Sequence, residues 1–227
     1  MNQLAIEKLE AVNTEGFAAI DVSHLLSAIE GSQIYQAMDT GFSAPDRGHY
    51  FNEISFNWGE TESDAAMGFH DQKTIATIHS VQEAQSLLRQ FLSESTTFEF
   101  MSFLLWVKES CLRLDLDLVL ARCMIRQYGP SEEAQPRFSS WHEDQGWVGK
   151  EYEQHLTAAI TLHGIPTEAQ RHKVKVGELL VFNAKDRRLK LGLGDSKRFL
   201  HRGPSHGPKL FVFWEFLKKK MTENNDG

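Results

Sequence analysis

The spacing of hydrophobic residues divides the chain into a mainly helical part and a strand-rich part. Before about residue 114, apolar side chains recur at intervals of three and four, which is the period of an amphipathic helix. The helix candidates are EKLEAV, HLLSAIEGSQIYQAM, SVQEAQSLLRQFLSES and TTFEFMSFLLWVKESC. A short stretch after the first of them, GFAAIDV, predicts a strand. The stretch 41–65 is rich in turn formers, so we expect a long surface loop there.

From Leu114 onward the pattern is that of β-strands. Short segments with alternating or β-branched residues follow one another, mostly with Gly or Pro between them: LDLDLVLARCMIRQYG, RFSSWHED, HLTAAITLHG, VKVGELLVFNA, KRFLH and KLFVFWEFL. Successive strands with little helix between them are typical of an antiparallel sandwich or barrel. We therefore predict an α+β fold with a mainly β core. It is one domain, with helix-rich support and a lid over 1–113, the core over 114–217 and a polar tail over 218–227.

Composition and charge exclude several classes of function. No apolar run approaches the ~20 residues of a membrane-spanning helix, and the N-terminus lacks the pattern of a signal peptide. The net charge of −7, from 24 basic and 31 acidic residues, argues against a general nucleic-acid binder, which needs clustered Lys and Arg. Cys111 and Cys123 have no metal-type spacing, and we expect both to be reduced and buried. We expect a cytoplasmic protein without a nucleic-acid or membrane partner.

A candidate metal site lies in the segment WHEDQG. Successive side chains of a strand point to opposite faces, so His142 and Asp144 share a face and Glu143 points away. An imidazole and a carboxylate roughly 6–7 Å apart along one face of a strand can bind the same metal ion. A second imidazole would complete a set of two histidines and one carboxylate, which suits non-haem Fe(II).

Two histidines compete for the third ligand position. His201 follows two or three strand-like segments after Asp144, and a rolled sheet can bring it opposite the first two ligands. His206 lies in SHGP, which has the looser pattern of a turn. We therefore predict His201 as the ligand and keep His206 as its alternative.

The order of these segments resembles that of the Fe(II)/2-oxoglutarate-dependent oxygenases, which have a double-stranded β-helix, or jelly-roll, fold. The stretch GFAAIDVSHLLSAIEG is similar to the opening strand and helix of that family, and RQYGPSEEAQPRFSSWHEDQG is similar to its approach to the metal motif. The segments VKVGELLVFNA and FLHRGPSHGPKLFVFWEF are similar to its closing strands. The resemblance covers most of the chain.

The resemblance implies a dioxygenase in which His142, Asp144 and His201 hold Fe(II). 2-Oxoglutarate would be the cosubstrate, and a small molecule would be oxidised by dioxygen with release of succinate and CO2. The oxidation would be a hydroxylation, or a desaturation or cyclisation. Halogenating relatives lack the carboxylate ligand, so the presence of Asp144 argues against halogenation. Polar side chains of the 41–65 stretch, such as Glu53 and Asn57, could contact a substrate, but we expect a solvated loop.

The resemblance also implies residues that bind 2-oxoglutarate. Its far carboxylate pairs with a basic residue eight to eleven positions after the last histidine ligand, which Lys209 matches, although most relatives carry Arg. A buried carboxylate needs such a cation, because an unpaired one is very unfavourable. Arg198 and Arg202 are the alternatives. Tyr128 lies where the family often places a hydroxyl donor, and Arg126 has the same strand parity and is a further candidate.

Two other functions compete with an oxygenase. One is a non-catalytic β-barrel that serves as a binding or scaffold module. The other is a metal enzyme of the cupin type, which we disfavour because His-x-Asp stands where cupins usually carry His-x-His.

Overall fold

The computed structural model describes residues 3–26, 29–41, 51–57, 76–78, 80–129, 141, 152–183, 199–203 and 208–219. The helices within these residues are α1 (Gln3–Glu15), α2 (Gly31–Gly41), α3 (Val81–Leu88) and α4 (Glu94–Leu112), with a short 3-10 helix at Ser23–Leu25. The strands are β1 (Phe17–Asp21), β2 (Phe51–Asn57), β3 (Ala76–Ile78), β4 (Leu118–Tyr128), β5 (Tyr152–Gly164), β6 (Glu168–Ala169), β7 (Glu178–Asn183), β8 (His201–Arg202) and β9 (Lys209–Lys219).

The main sheet has seven of these strands, in the order β1-β7-β5-β9-β4-β2-β3. Neighbouring strands run antiparallel except β2 and β3, which run parallel. The long strands β5, β9 and β4 form its centre, and β6 pairs with β8 in a separate two-stranded sheet. The prediction of a mainly β, antiparallel core with helices is confirmed.

The stretch 41–65 is where the structure corrects the sequence prediction most clearly. We expected a surface loop, but residues 51–57 form β2, which pairs with β4 along its whole length. Residues 52–56 are buried. The physical reason is the alternation of Glu53, Ile54, Ser55 and Phe56, which gives β2 one apolar and one polar face. The described residues before 114 thus contribute three strands to the main sheet as well as helices.

The predicted boundary of the polar tail at residue 217 is also too early. Strand β9 continues through Lys218 and Lys219. Lys218 forms an ion pair with Asp115 and lies 3.6 Å from Asp117, so the turn before β4 holds the end of β9 in the sheet.

One face of the main sheet packs against the helices and carries the larger core. Side chains at alternate positions of β9 lie on this helix face: Leu210, Val212, Trp214 and Phe216, all buried. The ring of Phe103 from α4 meets Trp214 edge-on, with 6.1 Å between the ring centroids. Each such large apolar side chain contributes about 1.5–3 kcal/mol by its burial. The two cysteines are free and buried, as predicted, and burial raises the pKa of both thiols.

The opposite face of the main sheet, which we call the site face, faces β8. It carries a second apolar cluster that includes Met124, Phe182 and Phe213. Phe199, which precedes β8, packs on this cluster, with its ring centroid 4.8 Å from that of Phe182. Arg126 and Tyr128 lie at every second position from Met124 along β4, and Lys209 has the same spacing from Phe213 along β9, so these candidate site residues lie on the site face.

The described part of the chain contains no helix that is long and apolar enough to cross a membrane.

Gly164, at the end of β5, provides a test of the sheet geometry. Its φ is +81°, and a Cβ atom there would lie 1.9 Å from the carbonyl oxygen of Pro208. We expect Gly164→Ala to lower the free energy of unfolding by more than the ~1–2 kcal/mol that the left-handed conformation alone costs an L-residue. Urea unfolding of both proteins measures the difference.

Gly129→Ala is the matched control, because a Cβ atom at Gly129 would meet no atom of the described residues within 4 Å. Equal stability of the two variants would contradict the close approach of β5 to Pro208.

Candidate functional site

His201 is the predicted metal ligand that the structure describes. It is the first residue of β8 and is 9% exposed. Its ring centroid lies 5.1 Å from that of Phe182 and 5.7 Å from that of Phe199. Its Nδ1 atom lies 3.3 Å from the carbonyl oxygen of Phe199. The imidazole therefore lies at the edge of the site-face cluster, where aromatic rings limit the access of water.

The other predicted metal residues, His142, Asp144 and the alternative His206, lie outside the described residues. Within the described ranges, no three His, Cys, Asp or Glu side chains are grouped so that they could hold a metal ion. The metal triad therefore stays a prediction.

Lys209 lies at the start of β9, in a row that crosses the centre of the main sheet. Tyr128 of β4 is directly opposite on one side, and Gly164 of β5 is opposite on the other. Lys209 is 3% exposed. Its Nζ atom donates a 2.7 Å hydrogen bond to the hydroxyl of Thr167 and lies 4.3 Å from the ring centroid of Phe211.

No carboxylate among the described residues forms an ion pair with Lys209. Burial disfavours its charged form and lowers its pKa from 10.5 to about 7. The site face thus contains a lysine whose charge is not balanced by the described part of the protein.

Two threonines near Lys209 were missed by the sequence analysis. Thr167, which binds Lys209, is buried in the short connection between β5 and β6. Thr161 is buried opposite Phe211, and its hydroxyl has no hydrogen-bond partner among the described residues. The parity of Thr161 with Ala159 in β5 could have placed it on the site face, whereas no sequence pattern marks Thr167.

Arg126, a predicted cosubstrate residue, forms a buried ion pair with Glu53 of β2, its direct cross-strand neighbour. Glu53 was expected in a solvated loop, and that expectation is wrong because β2 is part of the sheet. The Arg126 guanidinium lies 4.5 Å from the ring centroid of Phe213, and its Nη2 atom lies 3.7 Å from the sulfur of Met124. Burial lowers the pKa of Arg126, but Glu53 and then Tyr128 outweigh burial, so that this pKa is raised overall.

Tyr128 is buried at the end of β4. Burial raises the pKa of its hydroxyl, and a hydrogen bond with Arg126 opposes part of that effect. Tyr128 is the direct cross-strand neighbour of Lys209. Both residues therefore lie at the same end of the site face, as a shared ligand would require.

Arg202, an alternative cation, is occupied elsewhere. Its guanidinium donates hydrogen bonds of 2.8 and 2.6 Å to the Glu168 carboxylate and lies 4.7 Å from the ring centroid of Trp141. Both partners of this ion pair are well exposed, as is typical of a surface pair. Arg198 lies outside the described residues.

No protein-family model matches the chain, and no curated protein matches it significantly in sequence. Solved structures do match. A prolyl 4-hydroxylase structure from Phytophthora capsici has 13% identity and a TM-score of 0.51, over 99% of this chain and 69% of that chain. The viral collagen prolyl hydroxylase of Paramecium bursaria Chlorella virus-1, solved with 2-oxoglutarate, has 14% identity and a TM-score of 0.48, over 91% of this chain and 98% of that chain. A 2-oxoglutarate-Fe(II) oxygenase family member from Burkholderia pseudomallei has 11% identity and a TM-score of 0.46, over 95% of this chain and 91% of that chain.

The chain has the fold of the 2-oxoglutarate- and Fe(II)-dependent oxygenases. At these identities the likeness concerns the fold.

The burial of Lys209 predicts a pH dependence of stability. Between pH 7 and 10.5 the unfolded chain carries a proton on Lys209 that the folded chain lacks, so stability rises with pH. The contribution of Lys209 to the free energy of unfolding rises by up to about 1.4 kcal/mol per pH unit in this range. Below pH 7 both states carry the proton, and the contribution is constant. We expect the stability of the wild type relative to Lys209→Met to increase from pH 7 to pH 9.5 in urea unfolding.

Lys218→Met is the control for this measurement, since Lys218 lies on the same strand and its partner Asp115 raises its pKa. A difference between wild type and Lys209→Met that does not change with pH would contradict the buried, weakly solvated position of Lys209.

Proposed function

We propose that the protein is an Fe(II)- and 2-oxoglutarate-dependent oxygenase that oxidises a small molecule, with succinate and CO2 as coproducts. The observation that carries the proposal is Lys209, a buried lysine on the oxygenase fold without a carboxylate partner among the described residues. A buried charge is costly unless it is paired. An anionic ligand would supply the missing partner.

The groups near Lys209 fit a carboxylate. The Lys209 ammonium and the Thr167 hydroxyl are within hydrogen-bond distance of each other, and the Thr161 hydroxyl, which has no partner in the described part of the chain, lies on the same face. Tyr128, directly opposite Lys209, carries a further hydroxyl. All four groups can donate hydrogen bonds, as a carboxylate requires.

The other cations of the site face favour Lys209 as the anchor. Arg126 is paired with Glu53, and Arg122 makes hydrogen bonds of 2.6 and 3.1 Å to Glu215. An ion pair already balances each of these guanidinium charges. Lys209 is the described cation of this face that can gain most from a carboxylate.

For the metal, we propose His142, Asp144 and His201 as the ligands, with His206 as the alternative to His201. Two imidazoles and one carboxylate suit Fe(II), which when bound supplies the activation of dioxygen. The buried His201 imidazole, beside Phe182 and Phe199, supports this assignment. These rings keep water from the imidazole, and the protein's own task is to position the cosubstrate and exclude solvent.

The proposal includes the architecture around the site. The site face of the main sheet and the β6–β8 pair would be the two sides of a double-stranded β-helix, in one domain over residues 1–227. Hydroxylation is the reaction we propose first, and desaturation or cyclisation would use the same site.

The metal assignment predicts a spectroscopic signal. In the absence of oxygen, the protein with Fe(II) should develop a weak visible metal-to-ligand charge-transfer band when 2-oxoglutarate is added. We expect His142→Ala, Asp144→Ala and His201→Ala each to abolish the band, because each removes a ligand. His24→Ala, at an exposed histidine, is the control and should keep it.

Absence of the band in the wild-type protein, together with absence of binding of both components, would overturn the assignment. Metal binding without dependence on 2-oxoglutarate would instead indicate a cupin-type enzyme, and binding of neither would indicate a scaffold. Loss of the band in His206→Ala, with His201→Ala unaffected, would move the third ligand to His206.

The cosubstrate assignment predicts a large effect of Lys209. Lys209→Met keeps the stem of the side chain and removes its charge, which separates lost charge from lost packing. Breaking a buried ion pair costs about 3–5 kcal/mol, and each ~1.4 kcal/mol is tenfold in affinity. We therefore expect 2-oxoglutarate to bind roughly a hundredfold to a few thousandfold more weakly, with Fe(II) binding nearly unchanged. Calorimetric titration under anaerobic conditions measures both.

Lys209→Arg should keep part of the affinity, because the charge stays while its geometry changes. Arg202→Met is the control, since Arg202 is paired with Glu168 at the surface. A large loss in Arg202→Met, with Lys209→Met close to wild type, would assign the anchor to Arg202.

A further inference from the structure

The described residues of the site face include two buried ion pairs that the proposed function does not require. Glu53 pairs with Arg126, and Arg122 pairs with Glu215. In each pair the partners are directly opposite on neighbouring strands. All four residues are less than 10% exposed.

Stability alone is a weak reason for such pairs. The cost of desolvating two charges often exceeds their attraction, and apolar replacements of similar volume are often neutral or stabilising. The two pairs differ in what surrounds them, and that difference indicates a role for one of them.

The Arg126 guanidinium is held from several sides. Glu53 binds it from β2, the Phe213 ring lies 4.5 Å from it, and the Met124 sulfur lies 3.7 Å from its Nη2 atom. Arg126 also forms a hydrogen bond with Tyr128, two residues along β4. Arg122, by contrast, lies six residues from Tyr128 on the same strand.

The hydrogen bond between Arg126 and Tyr128 has a defined direction. Arginine can only donate, so the Tyr128 oxygen is the acceptor. The phenolic O–H is then oriented to donate to another group. Tyr128 is directly opposite Lys209, so the Tyr128 hydroxyl is within reach of a carboxylate that Lys209 binds.

We propose that the Glu53–Arg126 pair positions the Tyr128 hydroxyl for 2-oxoglutarate, so that Glu53 is a positioning residue for the cosubstrate. This inference rests on the proposed function. Glu53 fixes the guanidinium, the guanidinium fixes the phenolic oxygen, and the hydroxyl donates to the ligand. Glu53 thus affects cosubstrate affinity through Tyr128.

The test uses Glu53→Gln, which keeps the shape of the side chain and removes its charge. We expect 2-oxoglutarate to bind the Fe(II)-loaded protein about tenfold more weakly, as expected from one misplaced hydrogen bond. Fe(II) affinity should not change. The matched control is Glu215→Gln, which removes the equivalent charge from the Arg122 pair and should leave the affinity for 2-oxoglutarate within about twofold of wild type.

A double-mutant cycle separates positioning from general structural damage. Tyr128→Phe alone should weaken binding about tenfold, and adding Glu53→Gln to Tyr128→Phe should have no further effect. Glu53→Asp, which keeps the charge, should recover part of the loss of Glu53→Gln. In NMR spectra of protein with 13C-labelled tyrosine, Glu53→Gln should shift the Tyr128 signal, which Tyr128→Phe identifies, and Glu215→Gln should not.

Additive losses of Glu53→Gln and Tyr128→Phe, or equal losses in Glu53→Gln and Glu215→Gln, would overturn the positioning role. If Glu53→Gln does not fold, the apolar double variant Glu53→Met with Arg126→Met tests the same step, and it should show the same tenfold loss. If wild-type protein loaded with Fe(II) does not bind 2-oxoglutarate at all, the proposed function fails first.

Discussion

The ammonium group of Lys209 is buried on the site face, where its hydrogen-bond partner is a neutral hydroxyl and no carboxylate of the described residues balances it. Burial shifts its pKa to about 7, so the protein retains a group that is poorly solvated when charged. Above about pH 7 the amine loses its proton, whereas a bound anion stabilises the charged form. The assignment of 2-oxoglutarate to this end of the sheet depends on that stabilisation.

The fold places Lys209 where such an anion can be enclosed. Strand β9 lies between β5 and β4 in the centre of the main sheet, so its site-face residues have neighbours on both sides. The opposite face of β9 packs against the helices through Trp214 and Phe216, which anchors the strand. Two buried carboxylates of the site face pair with arginines rather than with Lys209. Glu53 pairs with Arg126, and Glu215 pairs with Arg122.

The sequence predicted the elements whose patterns are strong and local. Strands β4, β5 and β9 have long apolar or alternating segments, and α3 has a clear helical period. Strand β2 was missed because turn formers flank a short alternating segment and dominate the local pattern. Its burial comes from pairing with β4, which is a long-range contact that no local pattern shows.

The same limit applies to the candidate site. His201 was predicted from its place after the strand-like segments, and Lys209 was predicted from the family resemblance. The pairing of Glu53 with Arg126, and of Arg202 with Glu168, depends on cross-strand register, which no local sequence pattern determines. Thr167 meets Lys209 through a turn after β5, and residue type alone did not indicate that contact.

Proton uptake on cosubstrate binding tests the central claim most directly. If Lys209 is largely neutral in the free protein at pH 8 and charged when it pairs with a carboxylate, binding must take up a proton. Anaerobic calorimetric titration of the Fe(II)-loaded protein with 2-oxoglutarate, in buffers of different ionisation enthalpy, counts that proton. We predict an uptake close to one proton per bound molecule at pH 8, which Lys209→Met removes. Binding of 2-oxoglutarate without proton uptake, or with the same uptake in Lys209→Met, would contradict Lys209 as the anchor.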